Sequence, residues 1–376
     1  MVEQLNKEVV FRGIVILGCL FVGLMVRLVS AEFASGQSNT FYLPAVSYEF
    51  TDLTWTEVGV PYVIETTFEI DPNRPNTIYV GSTDYQGAWR SQDGGQSWEI
   101  MGNGLPITVN VHHIATAPIS PTFIFAGVRG LTQNSFRSWD GGDSWQSGTM
   151  PHSFPIASIA VNPVTPTTIF WGNGIWDSTS VGGEVFRSMD GGNSWSEILP
   201  SFTNAIEIVI DHQNPNVVFI GCSFGGMLKS LNGGDNWQPM NNGLPSDDLT
   251  VENILLHPDD SQIVYITAGG ELYRSSDGGG NWISIGSGLP VPRISSLAMN
   301  PDLPEMMFAT PLESREYYGV YQSLDGGYSW QRLAPGPVDH YALEMKVQVG
   351  LETSLFVLFD GYSNDDDRLW KLNLVQ

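Results

Sequence analysis

Cysteine is nearly missing: the 376 residues hold only Cys19 and Cys222. The first falls in an apolar segment near the N-terminus, so the rest of the chain has one thiol and no internal disulfide. Cations are scarce as well, with 16 Lys and Arg against 40 Asp and Glu and a formal net charge of −24. That balance speaks against nucleic acid and anionic membrane surfaces as partners, since both are held through Lys and Arg. The few histidines and cysteines show no zinc-ligand spacing, and no metal or cofactor is expected. After residue 40 no run has the 3.6-residue periodicity of an amphipathic helix, which excludes bundles and doubly wound sheets.

What the chain has instead is a repeat. Ser91–Trp98 reads Ser-Gln-Asp-Gly-Gly-Gln-Ser-Trp and returns at Ser138–Trp145, Ser188–Trp195, Ser230–Trp237, Ser275–Trp282 and Ser323–Trp330. The gaps between successive tryptophans are 47, 50, 42, 45 and 48 residues. A period of that size marks a repeat architecture. A short strand-like run precedes each motif, as in Glu184-Val185-Phe186-Arg187, and the Trp opens another. Two strands joined by Asp-Gly-Gly make a β-hairpin, the glycines supplying positive φ and the Asp accepting amides across the turn. Two more strands flank a Pro/Asn/Asp turn, as in Ile210-Asp211-His212 before Val217–Gly221.

Four short strands per period make a β-propeller blade. Six complete blades are expected near residues 62–100, 110–147, 156–198, 205–239, 251–285 and 293–333. Leu53–Val58 resembles the strand after each motif but has none before it, and Arg368–Leu372 resembles the strand before each motif but has none after it. The two halves complete a seventh blade from 341–373 and 53–59. The expected fold is all-β: a seven-bladed β-propeller of four-stranded antiparallel blades, closed by an N-terminal strand, over residues 51–376.

Gly13–Val26 is an apolar run broken by Arg27, with Val29-Ser30-Ala31 as a small-residue cleavage site. Residues 1–31 thus read as a signal peptide, with an uncleaved membrane anchor as the alternative and a lipoprotein reading through Cys19 the weakest. Residues 32–50 form a linker. Either way the body is expected outside the cytoplasm, secreted or at the cell envelope, touching a membrane only through the N-terminal segment. A monomer is expected.

The motif resembles the Asp-box, or BNR, repeat of bacterial sialidases, sortilin-type receptors, certain endoglucanases and photosystem II assembly factors. The resemblance covers about residues 50–376 and implies the propeller, but it names an architecture that hosts several functions. It gives Asp93, Asp140, Asp190, Asn232, Asp277 and Asp325 a structural role in the turn. A sialidase would carry Arg-Ile-Pro early; the nearest string here is Pro292-Arg293-Ile294-Ser295. Assembly factors of this group present a basic patch, whereas Arg129, Arg293 and Arg315 are scattered here.

Propeller ligands are expected on the face formed by the loops between second and third strands and the connections between blades. Tyr85, Arg129, Trp176, Arg293 and Arg315 are the candidate ligand residues there, an aromatic beside charged groups being what a sugar or peptide groove uses. Each also reads as an ordinary loop residue. Glycoside hydrolysis needs two carboxylates across a cleft; Asp84, Asp177, Glu313 and Asp360 sit on plausible loops, with no spacing that pairs two of them. Asp365-Asp366-Asp367 lacks the spacing of a calcium loop. His112-His113 opens a strand, so the pair is expected on opposite faces, with one exposed. Cys222 is expected packed and inert. The leading function is a non-catalytic binding or scaffolding propeller for a protein or glycan on the loop face; the alternative is a glycoside hydrolase or carbohydrate-binding propeller.

Overall fold

A computed structural model describes residues 53–374, apart from 60–64, 83–85, 130–134, 151–155, 174–182, 200–203, 247–248, 290–292, 313–316, 338–341, 351–352 and 361–367. The described residues form seven four-stranded antiparallel sheets and no α-helix. Six sheets take their strands in chain order, at 65–100, 110–148, 156–199, 205–239, 251–284 and 294–334. The seventh combines Trp55–Glu57 with the three strands of 342–374, the N-terminal strand lying antiparallel to Arg368–Leu374 with Trp55 opposite Leu372. The ring therefore closes by pairing its two chain ends, as the sequence predicts. Closure gives the seventh blade its fourth, outermost strand.

The second strand of each blade is buried on both faces. Ile78–Ser82, Val218–Cys222 and Val264–Ala268 are buried at every position, because a blade packs against a neighbour on either side. That explains why these segments read as continuous apolar runs rather than as alternation. Cys222 ends one of these strands instead of following it, and burial pushes its thiol up to about 12. Glycine within this strand permits close stacking: a Cβ on Gly221 would lie 2.8 Å from the Val251 carbonyl of the next blade.

The Asp-box turn is a closed hydrogen-bond circuit. In the second blade Ser138 Oγ accepts from the Gly142 amide (2.8 Å) and donates to Asp140 Oδ1 (2.7 Å). Asp140 Oδ1 accepts from the Ser144 amide (2.8 Å), and Ser144 Oγ donates to Oδ2. Both glycines have positive φ, 74° and 94°, which glycine alone adopts cheaply. The circuit recurs around Asp93, Asp190, Asp277 and Asp325. Asn232 keeps the first half, accepting from the Asn236 amide at 2.9 Å.

Two devices tie boxes to neighbouring blades. The indoles of Trp98, Trp195 and Trp282 donate to carbonyls of the preceding blade, at Val58, Thr149 and Met240. Those of Trp145, Trp237 and Trp330 turn back onto their own boxes at Gly142, Gly234 and Gly327. The cation just before the box Ser reaches forward. Arg90, Arg137, Arg187 and Lys229 each donate to the carbonyl of the first box glycine in the next blade.

Candidate binding face and the central channel

Antiparallel order fixes which loops share an end of the ring. The turns between first and second strands lie with the Asp boxes. The loops between second and third strands lie at the other end, with the connections between blades. Of the loop-face residues singled out from sequence, Asp84, Tyr85, Trp176, Asp177, Glu313 and Arg315 lie outside the described residues. Arg129 ends the strand Phe123–Arg129, its backbone paired with Asn110. Arg293 is exposed at the head of the sixth blade, 3.4 Å from Glu252 Oε1, and its carbonyl accepts from the Leu312 amide (2.9 Å). Asp360 follows the strand Thr353–Phe359 and is half-buried.

Phe224 on this face was not singled out by sequence. It caps the turn between Val218–Cys222 and Gly226–Ser230, is 80% exposed, and has a φ of 62°. A left-handed backbone costs a non-glycine residue about 1–2 kcal/mol. The only other non-glycine residue with positive φ among the described residues is Asn204 (44°), whose carbonyl accepts from the Ser223 amide at 2.9 Å. Both strained residues therefore meet at one loop cluster. It continues into the third blade, where Gly183 accepts from the Asn204 amide, and into the fifth, where Thr250 Oγ1 accepts from the Phe224 amide.

The innermost strands bring together a second group of side chains. Each contains a β-bulge near its start, and the residue after it falls at one level in all seven blades: Thr67, His113, Ser158, Glu207, Asn253, Ser296 and Glu344. All seven are polar. Three stitch adjacent blades: Ser158 Oγ accepts from the Ile208 amide (3.0 Å), Glu207 from that of Ile254, and Glu344 from that of Phe68 (3.2 Å). The bulge also corrects the reading of His112-His113. The extra residue breaks simple alternation, and both imidazoles are half-buried, so neither is exposed.

Charge in the channel is mostly balanced within it. Lys346 Nζ bridges Glu69 (2.8 Å) and Glu344 (2.9 Å) across the first and closing blades. Burial alone would lower the Lys346 ammonium; the two carboxylates outweigh it and raise it. Burial raises Glu69 against the pull of Lys346. Glu207 accepts one amide and has no salt-bridge partner among the described residues, and desolvation outweighs that amide and the Lys346 charge and pushes it up to about 8. Desolvation likewise takes His113 down to about 4, leaving a neutral imidazole. Among the described residues no group of three His, Cys, Asp or Glu is placed to hold a metal ion.

No family model matches the chain. It is 23% identical over 209 residues to the xyloglucanase Xgh74A of Acetivibrio thermocellus, an alignment covering 45% of this chain and 24% of the enzyme. Among solved structures, the GH74 xyloglucanase of Xanthomonas campestris superposes with a TM-score of 0.65 at 17% identity, over 85% of this chain and 55% of that one. YCF48 of Cyanidioschyzon merolae superposes with a TM-score of 0.60 at 16% identity, over 85% of this chain and 98% of that one. YCF48 bound to D1 peptide gives 0.57 at 16% identity, over 88% and 98%. At such identities the likeness is one of fold. The chain spans about a quarter of the curated enzyme and about half of the solved one, but nearly the whole of YCF48. It is a seven-bladed β-propeller whose structural neighbours include GH74 xyloglucanases and YCF48.

Proposed function

We propose that the chain is a non-catalytic binding propeller that holds an extended segment of a partner protein on its loop face. Phe224 carries this reading. A large aromatic held 80% exposed on a left-handed backbone is doubly unfavourable in the free protein, which is the pattern of a contact residue waiting for a surface. The acidic side chains support the same reading. Those with strongly shifted acidity among the described residues are occupied inside the fold: Asp93, Asp190 and Asp277 in their turns, Glu207 on the Ile254 amide. YCF48, matched over nearly its whole length, has been seen with a bound peptide, and that supplies the ligand class. A net charge of −24 favours a basic segment. The apolar run Gly13–Val26 supports a place outside the cytoplasm.

The second reading is a glycoside hydrolase or carbohydrate-binding propeller, favoured by the xyloglucanase relatives. It needs a pair drawn from Asp84, Asp177, Glu313 and Asp360 to face one cleft. The purified full chain, screened against arrays of basic peptides and of oligosaccharides, separates the two. Peptide binding that Phe224→Ala weakens by roughly tenfold or more is expected. Oligosaccharide binding indifferent to Phe224 would overturn the peptide reading.

A further inference from the structure

The second residue of the Asp box is the one whose side chain the turn does not use. In Ser-x-Asp-Gly-Gly the Ser, the Asp and the glycines are committed to the circuit, and x is left over. In the first and fifth blades x is polar and exposed, Gln92 and Ser276. In the second, third and fourth it is Trp139, Met189 and Leu231. A turn that accepts Gln or Ser here has no internal need of an apolar side chain, yet three consecutive blades carry one.

All three are exposed, Met189 at 66%, Leu231 at 63% and Trp139 at 38%. Val164, in the turn between the first two strands of the third blade, is 68% exposed. That turn is tied to the third box, the Gly191 amide donating to the Thr167 carbonyl at 2.9 Å. Trp139 reaches the same box from the second blade. Its Cζ2 lies 3.6 Å from where a Cβ on Gly191 would stand, and its ring is held 4.3 Å from that of Phe123. Trp139, Val164 and Met189 therefore gather around one box, and Leu231 continues the arc one blade on. Single exposed apolar residues are ordinary; a group of them in phase with the repeat marks a contact surface.

The charges around this arc are sorted by depth. Residues 110–239 hold four cationic side chains, Arg129, Arg137, Arg187 and Lys229. Arg129 belongs to the loop end. The other three are turned onto box carbonyls, at Gly191, Gly233 and Gly278. Arg90 of the first blade does the same at Gly141 and is buried. The carboxylates stand outside these cations. Asp143 and Asp235, each 2.7 Å from its arginine, are exposed, and so is Asp190. The result is an apolar centre with an acidic rim, the layout of a protein interface.

We propose that this arc docks a segment of a partner protein that carries apolar side chains between Lys or Arg residues. Charge decides among the occupants. A second copy would bring the same outward carboxylates and its own net charge of −24, and an anionic bilayer is repelled likewise. The surface lies at the end of the ring opposite Phe224, so it goes beyond the loop-face reading and does not depend on it.

The test titrates the full chain with three short peptides of equal length, built from Leu and Lys, from Ser and Lys, and from Leu and Glu. The titrations use the Phe224→Ala chain, which keeps loop-face binding out of the measurement, at roughly 0.15 M salt to screen non-specific attraction. The Leu/Lys peptide should bind at least about tenfold more tightly than either of the others. Adding Met189→Ser and Leu231→Ser should weaken it by roughly tenfold and leave the melting temperature unchanged, because both side chains are exposed. Equal binding of the Ser/Lys peptide, binding that the added pair leaves unchanged, or no binding at all would each overturn the proposal. Flotation with phosphatidylcholine vesicles, or dimerisation in sedimentation, that the added pair abolishes would give the arc a different occupant and overturn it as well.

Discussion

The two ends of the ring are built on opposite terms. At the Asp-box end the turn's hydrogen bonds recur by position in the repeat: Ser138 on Gly142, Asp140 on Ser144, Arg90 on Gly141 of the next blade. Among the described residues of the loop end, side-chain contacts differ from blade to blade. One blade there shows Phe224 on a left-handed turn, and another shows Arg293 against Glu252. Repetition at one end supplies the rigidity that lets the other end vary, and variation is where a binding specificity can reside.

Breaking the rigid end should cost most. A Cβ on Gly95 would lie 2.6 Å from Val58 Cβ, at a φ of 92°. Gly95→Ala combines that clash with a left-handed backbone at the ring closure, and should destabilise by roughly 2–4 kcal/mol in a denaturant titration. Ser138→Ala should come next. It strands the buried Gly142 amide and removes one of the two donors to Asp140 Oδ1, at about 1–3 kcal/mol, with loop-face binding unchanged.

The channel gives a smaller effect with a defined sign. Glu207 has a pKa of about 8 in the folded chain against an ordinary 4.5, so the folded state binds more protons between those values. Stability linked to it is complete below pH 4.5 and falls as pH rises through 8. Glu207→Gln should remove that slope, leaving the variant relatively more stable at pH 9 than at pH 4 by thermal melts. The three box aspartates held at about 2, Asp93, Asp190 and Asp277, act in the opposite direction: their contribution is present above pH 3.8 and is lost as pH falls towards 2.

Phe224→Gly is the smallest change in stability and the sharpest contrast. Glycine accepts the 62° φ that phenylalanine resists, and the ring is exposed, so the variant should gain up to about 1 kcal/mol. Higher stability with weaker binding would set the loop face apart from the box end. A loss of stability would place Phe224 among the structural residues.

Much of the fold was legible because the repeat reports its own geometry. The tryptophan spacing gave the blade count, and the half-blades at Trp55 and Trp370 gave the closure. The channel level was hidden because a bulge shifts register by one residue, and a bulge leaves no mark in the apolar pattern around His113 or Glu207. The hydrogen bond from Thr122 to Asp71 was hidden for another reason. The two residues are 51 apart, and only the stacking of blades makes them neighbours. Phe224 gave no signal beyond a Phe-Gly-Gly turn.

The most direct test of a non-catalytic loop face is turnover on xyloglucan, the substrate named by the enzyme relatives. The purified full chain would be incubated with the polysaccharide and scored for reducing ends over hours, with Asp84→Asn, Asp177→Asn, Glu313→Gln and Asp360→Asn alongside. No release above the buffer blank is the expected result. Release that any one of these variants abolishes would contradict the binding-propeller reading and identify a catalytic carboxylate.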